Sequence, residues 1–276
     1  MTERMPPYSL DDLLYLMERL RDPDTGCPWD CKQTLQSLAP FALEEAFEVA
    51  DAIERGDFSH LPEELGDLLF QVIFQAQLGK EKGGFEFADI VHAITSKLVS
   101  RHPHVFPDGT LNSRRPPGEI LDDTDINRVW EHKKQQERAR KGAGELLADI
   151  PVVLPALSRA QKVQKRVSRV GFDWPDRNAV VAKIREEISE LEAELPDADK
   201  MAMEDELGDV LFSVVNLSRH LGLDAETALR RATLKFERRF AQMEATARKQ
   251  GVALDEMSER ELDSLWERAK ANLREG

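Results

Sequence analysis

The chain is predicted to be all-α, built as two tandem helical-bundle units. Three observations lead there. Apolar residues recur at helical spacing over most of the 276 residues. No segment has convincing strand character, since valine pairs such as Val152-Val153 and Val180-Val181 lack strand context. An acidic pattern, EExxE followed by ELGD, occurs twice. Glu44, Glu45 and Glu48 precede Glu64-Leu65-Gly66-Asp67, and Glu186, Glu187 and Glu190 precede Glu206-Leu207-Gly208-Asp209. Glu44 to Glu64 and Glu186 to Glu206 each span 20 residues, and the copies are offset by 142 throughout.

In the first unit, Leu13, Leu14, Met17 and Leu20 mark an amphipathic helix after the capping candidates Ser9 and Asp11. The run Asp22-Pro23-Asp24-Thr25-Gly26 stops it. A second helix is predicted to start between Ser37 and Pro40, carry the first acidic triplet and end at Glu54–Asp57. A third runs from about Pro62 to Gly79, with Leu65, Leu68, Leu69, Val72 and Ile73 as its apolar stripe. A fourth covers about Phe87 to Arg101. An irregular stretch rich in Pro and Gly follows, then a helix from about Asp123 to Lys141 that includes Trp130. Gly142-Ala143-Gly144 is the predicted break, giving domains at 1–141 and 157–276 joined by a linker at 142–156. The second unit repeats the plan, with helices at about 157–169, 178–195, 200–221, 224–250 and 259–273.

Composition narrows the function. The formal net charge of −14 argues against a DNA or RNA polymer as partner, because neutralising phosphates takes a basic surface. A small phosphorylated ligand remains compatible, since a bound divalent cation reverses the local field. Cys27 and Cys31 supply at most half a zinc site. They read as reduced thiols of a cytoplasmic protein. No stretch has the length of a membrane span, and Met1 to Pro7 lacks the apolar core of a signal peptide.

Residues three apart on a helix share a face, so Glu187 and Glu190 project together, as do Glu206 and Asp209. A short turn joins the two helices, which lets them pack as a hairpin with four carboxylates between them. Unopposed, those charges repel. Hard oxygen donors in such a group suit Mg²⁺, which keeps some waters and takes phosphate oxygens as further ligands. The competing reading is a solvated acidic face, common on exposed helices. Spacing held in common by both copies favours the metal. Gly66 and Gly208, placed inside helices, point to close approach of a neighbouring helix or to a shallow ligand groove.

Further elements repeat. ELGDLLF at 64–70 matches ELGDVLF at 206–212, Lys97 and Arg101 match Lys235 and Arg239, and Trp130 and Lys134 match Trp266 and Lys270. With Gly26–Asp30 (GCPWD), Gln33-Thr34, EEAFE and RHPHVF in the first copy, and VGFDW, EEISE and KFERRF in the second, the chain resembles the MazG family of nucleoside triphosphate pyrophosphohydrolases in its tandem form. That family belongs to the all-α NTP pyrophosphatase group. The resemblance implies Mg²⁺-dependent hydrolysis of a nucleoside triphosphate to a monophosphate and pyrophosphate. It implies metal ligands at Glu187, Glu190, Glu206 and Asp209, with first-copy equivalents Glu45, Glu48, Glu64 and Asp67. It also implies nucleotide contacts at Lys183, Lys235, Arg239, Trp266 and Lys270, and a dominant C-terminal copy. Glu186 either orients or deprotonates the attacking water, or supports the ligands from behind. Phe41 stands in the first copy where the second has Lys183, so one cation is missing there.

The resemblance also implies a homodimer, and apolar stripes left on short hairpins favour one. Two other functions stay open at the sequence level. One is a non-enzymatic scaffold or regulatory protein; the other is a phosphohydrolase of a different phosphorylated nucleotide.

Overall fold

The computed structural model describes residues 6–116, 118, 122, 126, 129–130, 133–134, 136–137, 145–196 and 199–272. The chain divides into two compact units, Met1–Arg140 and Lys141–Gly276. The Gly142-Ala143-Gly144 break and most of the predicted 123–141 helix lie outside the described residues.

In the first unit α1 is Leu10–Leu20, α2 Leu35–Arg55, α3 Leu61–Glu81 and α4 Phe87–Arg101, with a 3-10 turn at Asp30–Lys32. Ser9 and Asp12 cap α1 reciprocally: the Asp12 amide donates to Ser9 Oγ at 3.3 Å, and the Ser9 amide to Asp12 Oδ2 at 2.8 Å. Thr34 and Ser37 do the same for α2. That cap starts α2 at Leu35, ahead of the predicted 37–40, and leaves Pro40 inside the helix with one backbone bond lost. At the far end Gly56 takes the left-handed conformation, φ 72°. The third helix passes Gly79, where the sequence was expected to stop it. A Cβ there would lie 2.6 Å from the Phe85 carbonyl oxygen and 2.7 Å from its ring, so Gly79 admits the returning chain rather than ending the helix.

The α2–α3 hairpin forms the body of this unit, with α1 and α4 packed on α3. Met17, Leu38, Ile73, Phe74 and Leu78 make its buried core, lined by Leu13, Leu14, Phe41, Phe70 and Phe87. The predicted α3 stripe needs correction. Ile73 is in the core, but Leu65 and Leu69 are 48% and 40% exposed. Burial shifts to the C-terminal half of α3, where α1 and α4 cover it.

In the second unit α5 is Ala156–Ser168, α6 Arg177–Glu194, α7 Lys200–His220, α8 Ala225–Gln250 and α9 Glu259–Asn272. Asp176, Asp199 and Asp224 cap α6, α7 and α8 through their carboxylates. The α6–α7 hairpin mirrors α2–α3. Helix α5 packs on α7 and α8, and α8 pairs with α9 around Met243, Ala247, Leu265 and Ala269. Among the described residues there is no strand, and no helix is long and apolar enough to cross a membrane.

Candidate active site

Helix α6 carries Glu186, Glu187 and Glu190, and α7 carries Glu206 and Asp209. The hairpin turns their faces together. Glu187, Glu190 and Glu206 each offer a carboxylate oxygen, all within 4.8 Å of one another. Glu187 is buried, at 5% exposure, whereas Glu190 is exposed and Glu206 half-buried. Asp209 is exposed and stands outside this trio. Its side chain is one methylene shorter than glutamate and sits nearly a turn further along α7. The expected convergence of four carboxylates is therefore a convergence of three, with Asp209 on the same helix face.

Lys183 closes the trio from one side. Its ammonium lies 2.8 Å from Glu186 Oε1 and 2.8 Å from Glu187 Oε1. These are the i,i+3 and i,i+4 partners that a lysine one turn upstream must meet. The hydrogen bond from Lys183 holds Glu187 below the usual carboxylate range. Glu190, hydrogen-bonded to Glu187 and repelled by it, is pushed up. Lys183 itself is raised by its bonds to Glu186 and Glu187.

The first unit repeats the geometry with different electrostatics. Glu45, Glu48 and Glu64 also offer oxygens within 4.8 Å of one another. Asp67 stands outside that trio, yet its charge reaches Glu45 and Glu64. Phe41 replaces the lysine and faces inward, packing on the core and edge-to-face on Trp29 at 6.1 Å. Burial first, then the bond with Glu48 and the charge of Asp67, push Glu45 up. Burial first, then the charges of Glu48 and Asp67, push up Glu64.

Gly66 and Gly208 lie beside these trios. Among the described residues, a Cβ on either would meet nothing within 4 Å. Of the two sequence readings, helix crowding within the unit does not hold; open space beside the carboxylates does.

The other predicted nucleotide contacts lie on another hairpin, α8–α9. The Arg239 guanidinium sits 5.7 Å from the Trp266 ring centre, and Phe236 packs on the same ring at 5.1 Å. Trp266 also borders the buried α8–α9 core. Among the described residues, Arg239 Nε is buried without a hydrogen-bond partner. Lys270 pairs with Glu267 at 2.6 Å, and Lys235 is exposed on α8. In the first unit Arg101 stacks on Trp130 at the same 5.7 Å, Lys134 lies 3.5 Å from that ring, and Glu137 binds Arg101.

Some supporting residues escaped sequence reasoning. Asp173 accepts hydrogen bonds from Arg219 and, at 3.1 Å, pairs with His220, tying the chain before α6 to the end of α7. Asn216, fully buried, accepts from Arg219 Nε at 3.0 Å. The signal available was the Asp inside VGFDW; nothing marked Asn216 beyond a polar residue on an apolar helix face.

Comparison with known proteins identifies a family. A family model described as the MazG nucleotide pyrophosphohydrolase domain matches residues 33–106 and again 176–243, each match enclosing one carboxylate trio. The chain is 47% identical over 263 residues to a protein of Escherichia coli K12 named nucleoside triphosphate pyrophosphohydrolase, covering 95% of this chain and 97% of that one. It is 43% identical over 260 residues to a Thermotoga maritima protein named nucleoside triphosphate pyrophosphohydrolase/pyrophosphatase MazG, covering 94% and 95%. A crystal structure of a mazG-related protein from Thermotoga maritima overlaps 46% of this chain and 99% of its own, with 25% identity and a TM-score of 0.37.

Proposed function

Since the chain belongs to the MazG nucleotide pyrophosphohydrolase family, with the domain present twice, we propose that it hydrolyses nucleoside triphosphates to the monophosphate and pyrophosphate, using Mg²⁺ held at the α6–α7 hairpin. The single observation that carries this reading is the trio Glu187, Glu190 and Glu206, three oxygen donors from two helices within 4.8 Å. Membership implies a divalent metal. The donors fit a hard cation, with no nitrogen or sulfur ligand among them. Asp209, nearly a turn along α7 and outside the trio, would add a fourth ligand.

Mg²⁺ held there would neutralise the carboxylates, add positive charge beside the triphosphate and make the attacking water more acidic. The chain's own residues do the rest. Glu187 is fixed by burial, so its oxygens hold one orientation. Glu186, exposed beside it, takes the proton from the attacking water or orients that water. The water oxygen bonds to the α-phosphorus, the bridge from α- to β-phosphorus breaks, and the electron pair leaves with pyrophosphate. Lys183, Lys235, Arg239 and Lys270 bind phosphate oxygens as charged donors. Trp266 supports Arg239 and stacks on the base or ribose.

The division into a supporting domain at 1–141 and a catalytic domain at 157–276 rests on the Lys183-to-Phe41 difference. Homodimer formation is supported by exposed Leu43, Phe47, Leu65 and Leu69 on the first hairpin and Leu207, Leu211 and Phe212 on the second. Light scattering tests it, and a monomer at micromolar concentration contradicts it. The cytoplasm, where nucleoside triphosphates are abundant and thiols stay reduced, suits the free Cys27 and Cys31. Activity is tested by measuring pyrophosphate release from a panel of nucleoside triphosphates, with Mg²⁺ and with chelator. Release that depends on Mg²⁺ and is lost in Glu206→Gln supports the proposal. Nucleoside diphosphate and orthophosphate as products oppose it.

A further inference from the structure

We infer that Lys183 is a built-in competitor for the metal position, released by metal and then available to the substrate. The inference rests on the metal reading above and adds a device to it.

Glu187 is the most buried member of the trio and so the least free to reorient. One of its oxygens, Oε1, receives Lys183 at 2.8 Å, and the carboxylate also shares a hydrogen bond with Glu190. The lysine is anchored a second time, on Glu186 Oε1 at 2.8 Å. Both bonds are local to α6, spanning i,i+3 and i,i+4, so they need no other element. A divalent cation drawing on Glu187 then has to share a carboxylate with a full positive charge a few ångströms away, or displace it. A monovalent ion gains too little from the trio to do so. Displacement leaves the ammonium on a four-carbon stem with three donors, still tied to Glu186 and one helical turn from the ligands. That is where an incoming triphosphate needs a cation. Metal binding and phosphate capture are thereby linked through one side chain.

The first unit supplies an internal control. Phe41 at the matching position is packed into the core and cannot compete for Glu45.

The test is titration of the full-length protein with Mn²⁺ alone, without nucleotide, with free Mn²⁺ read by electron paramagnetic resonance. Glu64→Gln serves as background to weaken the first trio. In that background Lys183→Met, which keeps the aliphatic stem, should bind Mn²⁺ roughly tenfold more tightly, as for loss of one charged hydrogen bond. Lys183→Arg, which keeps the charge, should stay near the parent affinity. In turnover, Lys183→Met should need less Mg²⁺ for half-saturation while its KM for the triphosphate rises, a split that loss of structure would not produce. Circular dichroism checks the fold. Unchanged or weaker Mn²⁺ binding in Lys183→Met, with the site still sensitive to Glu187→Gln, overturns the inference and leaves the metal reading standing. Mn²⁺ binding that is absent, or indifferent to Glu187→Gln and Glu206→Gln, overturns both.

Discussion

Removing one charge from the second trio should make the protein more stable without metal and less stable with it. The perturbation is Glu206→Gln, which keeps size and shape. At the 4.8 Å that bounds the trio, two carboxylates repel by about 3.5 kcal/mol at an effective dielectric of about 20, and by about 0.9 kcal/mol in bulk water. Glu187 is buried and Glu206 half-buried, so this pair falls between the limits, at about 2 kcal/mol after allowance for solvent. Lys183, 2.8 Å from Glu187 Oε1, offsets part of that repulsion and leaves about 1 kcal/mol. Relief of about 1 kcal/mol should raise the unfolding midpoint of a domain this size by roughly 4 °C in chelator. The wild-type chain should then gain on adding Mg²⁺, by about 2.7 kcal/mol at a hundredfold excess over Kd. The variant should gain much less and lose most of its kcat/KM. Scanning calorimetry in chelator and in Mg²⁺ reads both effects. A variant that melts below wild type in chelator, yet responds to Mg²⁺ as wild type does, would refute the claim that these carboxylates are held together for a cation.

Three more predictions follow from the same geometry. Glu64→Gln and Asp67→Asn in the first unit should cost far less kcat/KM than Glu206→Gln and Asp209→Asn in the second; equal losses would mean two working sites. Phe41→Ala should destabilise the first unit by about 2 kcal/mol in chemical denaturation, since the ring is half-buried against the core and Trp29, and Phe41→Lys should destabilise at least as much rather than create a second Lys183. Glu45 and Glu187, the matching residues of the two trios, should respond to pH in opposite senses in chelator. Glu45 and Glu64 have folded values above the ordinary 4.5, so their contribution is present below that pH and lost as pH rises through the raised values. Glu187 has a folded value below 4.5, so its contribution is present above that pH and lost as pH falls through the lowered value. Melting curves of Glu45→Gln and Glu187→Gln across acid and neutral pH should differ from wild type with opposite slopes.

The helices were legible because each carries its own local signals. Asp176, Asp199 and Asp224 cap where the sequence puts a carboxylate before a periodic run, and Gly56 and Gly251 close helices in the left-handed conformation. Boundaries failed where a tertiary contact decided them, as at Gly79, whose role depends on Phe85. The carboxylate trios were legible from three-residue spacing and the short turns between helices. The place of Asp67 and Asp209 outside them was not, because it depends on side-chain reach between helices. Periodicity marked Leu65 and Leu69 as apolar but could not say whether their own unit covers them. Lys183 was visible as a cation one turn before Glu187; its bond to that carboxylate is a fact of the folded helix.

The most direct measurement of the central claim is the fate of the water oxygen. Turnover of a nucleoside triphosphate in H₂¹⁸O with Mg²⁺, followed by mass spectrometry of both products, reports which phosphorus is attacked. Attack at the α-phosphorus predicts one ¹⁸O in the nucleoside monophosphate and none in pyrophosphate, with no turnover in Glu206→Gln. Label in pyrophosphate, or label released in orthophosphate, would contradict it.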